Sequence, residues 1–259
     1  MIPTYCIAHR DPKLSAHLYD VVINTPPRHD YEALVSLVAH PIIARLAPPV
    51  GLVNVCGYRK IVMHGDKPHN RIGTAQCAQV PRAQTEPRPG FDFLLCLHDF
   101  FKIGRVHRNI REQWNAAHHS QDLTDCLGLA VDMGVMSFAD ARALEAEPAL
   151  IEGGFSMGVF PAELVRETFD KVFPLYQEFA RRHRARFMAY DPIQRRCVAF
   201  LAERIETHFI LKDLRRRYSG KIPVELSGCL TSSWDGPWEQ GTIGARPTYA
   251  ARRAQSTNR

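Results

Sequence analysis

His118-His119 followed by Asp122 sets two imidazoles and a carboxylate where one expected helix ends and the next begins. Asp122 there either caps the second helix or takes a proton from a bound hydroxyl. Adjacent histidines on a helix point about 100° apart and seldom share one ion, which argues against a metal centre at this block. Tyr58-Arg59-Lys60 follows the apolar run Leu52-Val-Asn-Val55. A guanidinium with paired donors and an ammonium point charge can neutralise a diphosphate without metal, although basic residues also end strands that bind nothing. His9 and Arg10 follow the first apolar run. Ligands of open α/β sheets bind beyond the carboxyl ends of strands, so this pair suits a base, ribose or phosphate as well as it suits a surface turn. Glu203-Arg204 lies in a helical stretch whose apolar stripe contains Val198, Leu201, Ala202, Ile205 and Phe209. On that wheel Glu203 projects to the far side and Arg204 to the flank, with Tyr190, Gln194 and Arg195 just upstream.

These residues need elements to hold them. Residues 4–8 and 19–24 are short, rich in β-branched and aromatic side chains and bounded by polar residues or proline, as buried strands are. Between Asp30 and Leu46 the apolar positions Tyr31, Leu34, Val35, Val38 and Ile42 recur at helical spacing, and Pro48-Pro-Val-Gly51 ends the helix before a strand begins at Leu52. The β-α-β order predicts a sheet flanked by helices. From Gly65 to Gly90 the prolines at 68, 81, 87 and 89 predict an irregular binding loop or lid beside the site. Phe91 to Leu97 reads as a strand, and helices are expected over 108–117, 123–133 and 162–183. Beyond Ser227 the chain is rich in Gly, Ser and Arg, and its last dozen residues read as a mobile tail.

As a series of blocks the chain resembles DUF4422, a family of glycosyltransferase-like proteins of bacterial polysaccharide gene clusters. The blocks are Thr4-Tyr-Cys-Ile-Ala-His-Arg10, Gly51 to Val62, Trp114 to Asp125 with its His-His-x-x-Asp-Leu core, Gly158 to Val165, and Tyr190 to Ile205 with its Phe-Leu-x-Glu-Arg pattern. The likeness is weak between Asp11 and Pro49 and vanishes between His64 and Gly90. Two departures stand out: the His that the family carries before Tyr58 is missing, and Gln121 stands where the family often has an acid.

The resemblance implies an α/β fold with a GT-A-like nucleotide-binding sheet and a helical C-terminal half, in a domain of residues 1–226 followed by an extension of residues 227–259. It implies transfer of a sugar from a nucleotide-sugar donor to a hydroxyl of a glycan or lipid-linked acceptor. Asp122, Glu203 and His119 are then the expected catalytic residues, with His9, Arg10, Tyr58, Arg59, Lys60, His118 and Arg204 around the substrate. Many GT-A enzymes hold a divalent metal with Asp-x-Asp at a strand end. No such tripeptide flanks a strand end here, and Tyr58-Arg59-Lys60 stands at the comparable place, so metal-independent catalysis is expected, with a divalent metal left open and no other cofactor implied.

Composition agrees with a soluble enzyme. At 259 residues the chain can bury a substantial core. Seven cysteines without a C-x-x-C pair suggest neither a zinc knuckle nor a disulfide framework. With no apolar run near the roughly 20 residues of a membrane span and no signal-peptide core at its start, the expected location is cytoplasmic, with peripheral contact at the inner face of the membrane left open. A net charge of +6 and a pI near 9.0 suit an acidic partner, and the charge gathers at Arg181–Arg186 and Arg215–Arg217. The alternative reading is thus a non-catalytic basic protein that binds nucleic acid or an acidic polymer. No zinc-finger spacing or aromatic RNA-binding signature supports it, and nucleic acid is not an expected partner.

Overall fold

The structure, a computed structural model, describes residues 2–25, 34–65, 69–99 and 107–234. Its strands are β1 (Thr4–Ala8), β2 (Val21–Asn24), β3 (Leu52–Gly57), β4 (Lys60–Met63), β5 (His69–Gly73), β6 (Leu97–Asp99), β7 (Ala149–Ile151), β8 (Gly158–Pro161) and β9 (Cys229–Trp234). Its helices are α1 (Leu34–Leu46), α2 (Thr74–Cys77), α3 (Ile110–Ala117), α4 (Ser120–Asp132), α5 (Phe138–Ala146), α6 (Ala162–Arg182), α7 (Arg184–Met188) and α8 (Cys197–Arg217). Seven strands form one mixed sheet in the order β2-β1-β3-β4-β9-β5, with β8 also paired to β3, and β6 and β7 make a separate two-stranded ribbon.

The alternation of a strand decides which residues go to which face. Tyr5, Ile7, Val53, Val55 and Phe160 enter the main core, where α1, α6 and α8 supply Ile43, Phe169, Tyr176, Leu201 and Ile205. Cys6, Ala8, Cys56 and Ile61 face the other way and are covered by Leu14, Leu18 and Cys77. Each large apolar side chain removed from water contributes about 1.5–3 kcal/mol, so the main core is the chief source of stability. The sheet flanked by helices and the helical C-terminal half agree with the expected class.

Several expectations need correction. The span 65–90 is irregular only in part: β5 pairs in parallel with β9 from His69↔Leu230 to Gly73↔Trp234, α2 follows it, and a 3-10 turn covers Arg82–Thr85. Composition misled because a sheet edge with a partner tolerates the polar run His-Asn-Arg, whose side chains stay exposed on the outermost strand. Residues 66–68 lie outside the described part. The boundary at 226 is also displaced, since β9 is an inner strand between β4 and β5; the rest of the expected extension, with the mobile tail expected over its last dozen residues, lies outside the described residues. The strand expected over 91–97 is regular only from Leu97, and Leu94 and Leu95 make isolated bridges to Val159 and Ser227. The start of the helix expected from residue 30, with Tyr31, lies outside the described part as well. Among the described residues no helix is long and apolar enough to cross a membrane.

Candidate active site

Strands β1 and β3 run in parallel with Cys6 opposite Cys56, so their carboxyl ends bring His9-Arg10 and Tyr58-Arg59 together. Tyr58 and Arg59 form the two-residue turn between Gly57 and Lys60, which pair as β3 turns back into β4. The Tyr58 ring is the centre of the cluster. The His9 imidazole meets it edge-on with centroids 4.7 Å apart, the Arg10 guanidinium lies 4.9 Å above it and that of Arg59 5.6 Å. Arg10 Nε donates to His9 Nε2 at 3.2 Å. Among the described residues neither guanidinium has a carboxylate partner. Two positive charges held at one aromatic ring without compensation make a site for an anion, and phosphate is the anion that paired guanidinium donors fit best.

Lys60, the first residue of β4, faces the loop after β7. Its Nζ lies 3.7 Å from Glu152 Oε1, and Glu152 Oε2 is 3.3 Å from His69 Nε2. The backbone of that loop is held by α8. Glu203 Oε1 accepts from the Gly153 amide at 2.6 Å, Glu206 Oε2 from that of Phe155 at 2.9 Å, and Thr207 Oγ1 from that of Ile151 at 3.1 Å. Gly153 and Gly154 have φ of 85° and 52°, and a Cβ on Gly154 would sit 2.3 Å from Glu206 Oε2, so both the fold-back and the approach of α8 need glycine.

Glu203 also pairs with Arg204, which donates to Gln113 Oε1 at 2.9 Å and stacks 5.5 Å over Trp114. The expected wheel is corrected here. Helix α8 is buried around most of its circumference, Arg204 is 3% exposed rather than at a flank, and Glu203 faces a loop. A wheel built on residue type treats polar positions as solvent-facing, whereas these have partners from α3 and the β7 loop.

A third group lies at the α3–α4 junction. His118 stacks on Phe200, lies tilted against Trp114, and shares Nδ1 with Gln194 Oε1 at 3.1 Å. Burial, helped by the Arg204 charge, lowers its pKa to about 3, so the ring is neutral. His119 lies flat on Tyr190 at 4.1 Å. Asp122 does not cap α4: His119 occupies the N-cap position and Asp122 is the third residue of the helix. Its carboxylate is 1% exposed. Oδ1 accepts from Tyr190 Oη at 3.2 Å, Oδ2 from Cys197 Sγ at 3.2 Å, and Arg186 Nη2 stands 3.0 Å from Oδ1 without the alignment of a hydrogen bond. Burial raises the Asp122 pKa against the opposing pull of Cys197 and Arg186.

Sequence reasoning missed Glu152, Glu206 and His40. Glu206 and His40 are wholly buried, with His40 Nδ1 3.6 Å from Glu206 Oε1 and its Nε2 2.8 Å from Ser156 Oγ. Burial raises Glu206 to about 8 and lowers His40 to about 3, so at neutral pH the two meet as a carboxylic acid and a neutral imidazole, not as an ion pair. The adjacent glycines after Glu152 were the one signal available, since they mark a tight fold-back.

No family model matches the chain, and no curated protein matches it. Among solved structures, the apo structure of the bifunctional glycosyltransferase WbbM is similar, with a TM-score of 0.63 and 12% identity over 90% of this chain. The match covers 45% of that chain, so this protein spans less than half of its length. At that identity the likeness is one of fold: the chain has a glycosyltransferase-like α/β fold.

Proposed function

We propose that this protein is a nucleotide-sugar-dependent glycosyltransferase of bacterial surface polysaccharide assembly and belongs with the DUF4422 proteins it resembles. The observation that carries the reading is the Arg10-Tyr58-Arg59 cluster beyond the carboxyl ends of β1 and β3, whose guanidinium groups have no carboxylate partner among the described residues. There the donor diphosphate lies against Arg10, Arg59 and Lys60, with His9 and Tyr58 beside it. In the transfer, the acceptor oxygen bonds to the anomeric carbon, the bond from that carbon to the diphosphate breaks, and the diphosphate leaves with the electron pair. The two guanidinium groups take up the charge that grows on it, which makes a divalent metal dispensable.

His119 with Tyr190 offers a stacked aromatic surface suited to a sugar ring of a glycan or lipid-linked acceptor. Glu203 and Arg204 hold the β7 loop and α3, and Asp122 holds Tyr190 and Arg186; in this reading both carboxylates position other groups. Work at the cytoplasmic face of the membrane suits such an acceptor.

The rival reading, a basic protein that binds nucleic acid or another polyanion, loses support from the same geometry. Arg181 and Arg182 both pair with Glu178, Arg215 with Glu147, and Arg216 and Arg217 with Asp213. The test is a screen of nucleotide-sugars for thermal stabilisation, followed by turnover of the best donor in EDTA. Stabilisation by one nucleotide class and undiminished turnover are expected. Turnover lost in EDTA and restored by manganese or magnesium would overturn the metal-independent part, and stabilisation by no donor would overturn the whole.

A further inference from the structure

We infer that the carboxyl ends of β5 and β9 form an acceptor subsite for a sugar residue that carries a carboxylate, as in a glycan that contains uronic acid; the assignment rests on the transferase reading above. Strand directions place it. β1 and β3 are parallel, β4 runs against both β3 and β9, and β9 is parallel to β5, so β1, β3, β9 and β5 all end at one edge of the sheet. Open α/β sheets bind their ligands at that edge. The Ser233 amide donates to the Arg59 carbonyl at 2.8 Å, so Trp234 comes directly after the residue bonded to the turn that carries Arg59. The two sites lie on opposite faces, for Tyr58 packs with Cys6, Cys56 and Ile61, on the side away from Trp234. The subsite therefore holds a sugar of the acceptor chain that runs over the edge, not the sugar that reacts.

Register fixes what the subsite contains. Lys60, Ser232 and Arg71 stand in one row across β4, β9 and β5, and Trp234 stands opposite Gly73 on the same face. The residues between them, Thr231, Ser233 and Ile72, turn to the other face, where Ile72 packs with Cys77 of α2. The Trp234 ring is 46% exposed, and the Arg71 guanidinium lies 5.6 Å from its centroid. Gly73 sets no side chain beside it. An open indole with polar groups at its rim offers apolar surface to the C–H face of a sugar ring and donors to its substituents. The charge decides which sugar. Glu152 lies 3.7 Å from Lys60 and 3.3 Å from His69 and offsets them, whereas Arg71 has no carboxylate partner among the described residues. Its paired donors match a carboxylate oxygen for oxygen. A phosphate meets the same charge but has no use for the indole, so the pair of Arg71 and Trp234 favours a carboxylated sugar.

The experiment uses the full chain and titration calorimetry with two uronate probes, a trimer of galacturonic acid and a hyaluronan tetrasaccharide, each also as its neutral methyl ester. Polyphosphate and the nucleotides UDP, GDP, dTDP and CMP are titrated into the same proteins, which are the wild type, Arg71→Gln and Trp234→Ala. At least one acid should bind the wild type about tenfold more tightly than its ester, the worth of a charge-assisted pair. Arg71→Gln should erase that difference, and Trp234→Ala should weaken acid and ester alike by about tenfold. Both variants should keep nucleotide affinity within about twofold, and, as both side chains are exposed, a melting temperature within a few degrees of wild type. Acids that do not bind, or bind no better than their esters, or keep their advantage in Arg71→Gln, would overturn the subsite and leave the transferase reading standing. Polyphosphate bound as tightly as the acids, with all of them weakened by Arg71→Gln and none by Trp234→Ala, would overturn it as well, since that is an anion patch and not a sugar site. A wild type that binds none of the nucleotides would overturn the transferase reading and with it the acceptor role.

Discussion

At Asp122 the structure separates two roles that one residue type can play. A base needs an open oxygen, and a positioning carboxylate needs enclosed ones; Asp122, with Tyr190, Cys197 and Arg186 around it, is of the second kind. Asp122→Asn should therefore leave turnover above half of wild type while it weakens the hold on Arg186 and lowers stability by about 1 kcal/mol, which calorimetry would record as a fall of roughly 2–4 °C in Tm. A fall in turnover of about 10²-fold with unchanged Tm would instead make Asp122 the base. The placement of His9, Arg10, Tyr58 and Arg59 beyond strand ends was legible in the sequence because their apolar runs read as strands, and the pairing of β1 with β3 brings the two turns together. Glu152 was not legible, because its partners Lys60 and His69 lie about ninety residues earlier and meet it through a β7 loop that no local pattern foretells.

At the scale of elements, helices were legible by period and strands by their apolar runs, but polar elements with tertiary partners were not. β5 escaped notice because its side chains are exposed and its order comes from β9, and α8 was misread because its polar residues are buried. The His40–Glu206 contact joins α1 to α8 and makes a pH prediction. Glu206 holds its proton up to about pH 8 in the folded protein against about 4.5 unfolded, so its contribution to stability is present below the unfolded value and is lost as pH rises through the folded one. His40 holds its proton only below about pH 3 in the folded protein against about 6.5 unfolded, so its contribution is lost as pH falls from 6.5 towards 3. Between about 4.5 and 6.5 the folded and unfolded pairs each bind one proton, and the pair's effect is flat; stability should fall on either side. Denaturant unfolding as a function of pH checks this, and Glu206→Gln should remove the decline between pH 6.5 and 8 and start the acid decline at about 6.5, where His40 alone now sets it. A variant with the same alkaline decline as wild type would contradict the assignment.

For the whole molecule, a net charge of +6 says little until the charges have places. The Arg runs at 181–186 and 215–217 suggest a polyanion in one dimension, yet in three dimensions Glu178, Glu147 and Asp213 stand beside them. The charge that has no carboxylate partner among the described residues, at Arg10 and Arg59, is small and local, at the carboxyl ends of β1 and β3. A site of this kind binds a defined phosphate ligand; a polyanion surface binds any. The most direct test is calorimetric titration with UDP, GDP, dTDP and CMP across ionic strength, for the wild type and Arg59→Ala. The account predicts saturable binding of one nucleotide at micromolar affinity, weakened about tenfold or more by Arg59→Ala, with a shallow dependence on salt. Binding that is indifferent to Arg59, equal for all four nucleotides and for polyphosphate, and steeply abolished by salt would contradict it.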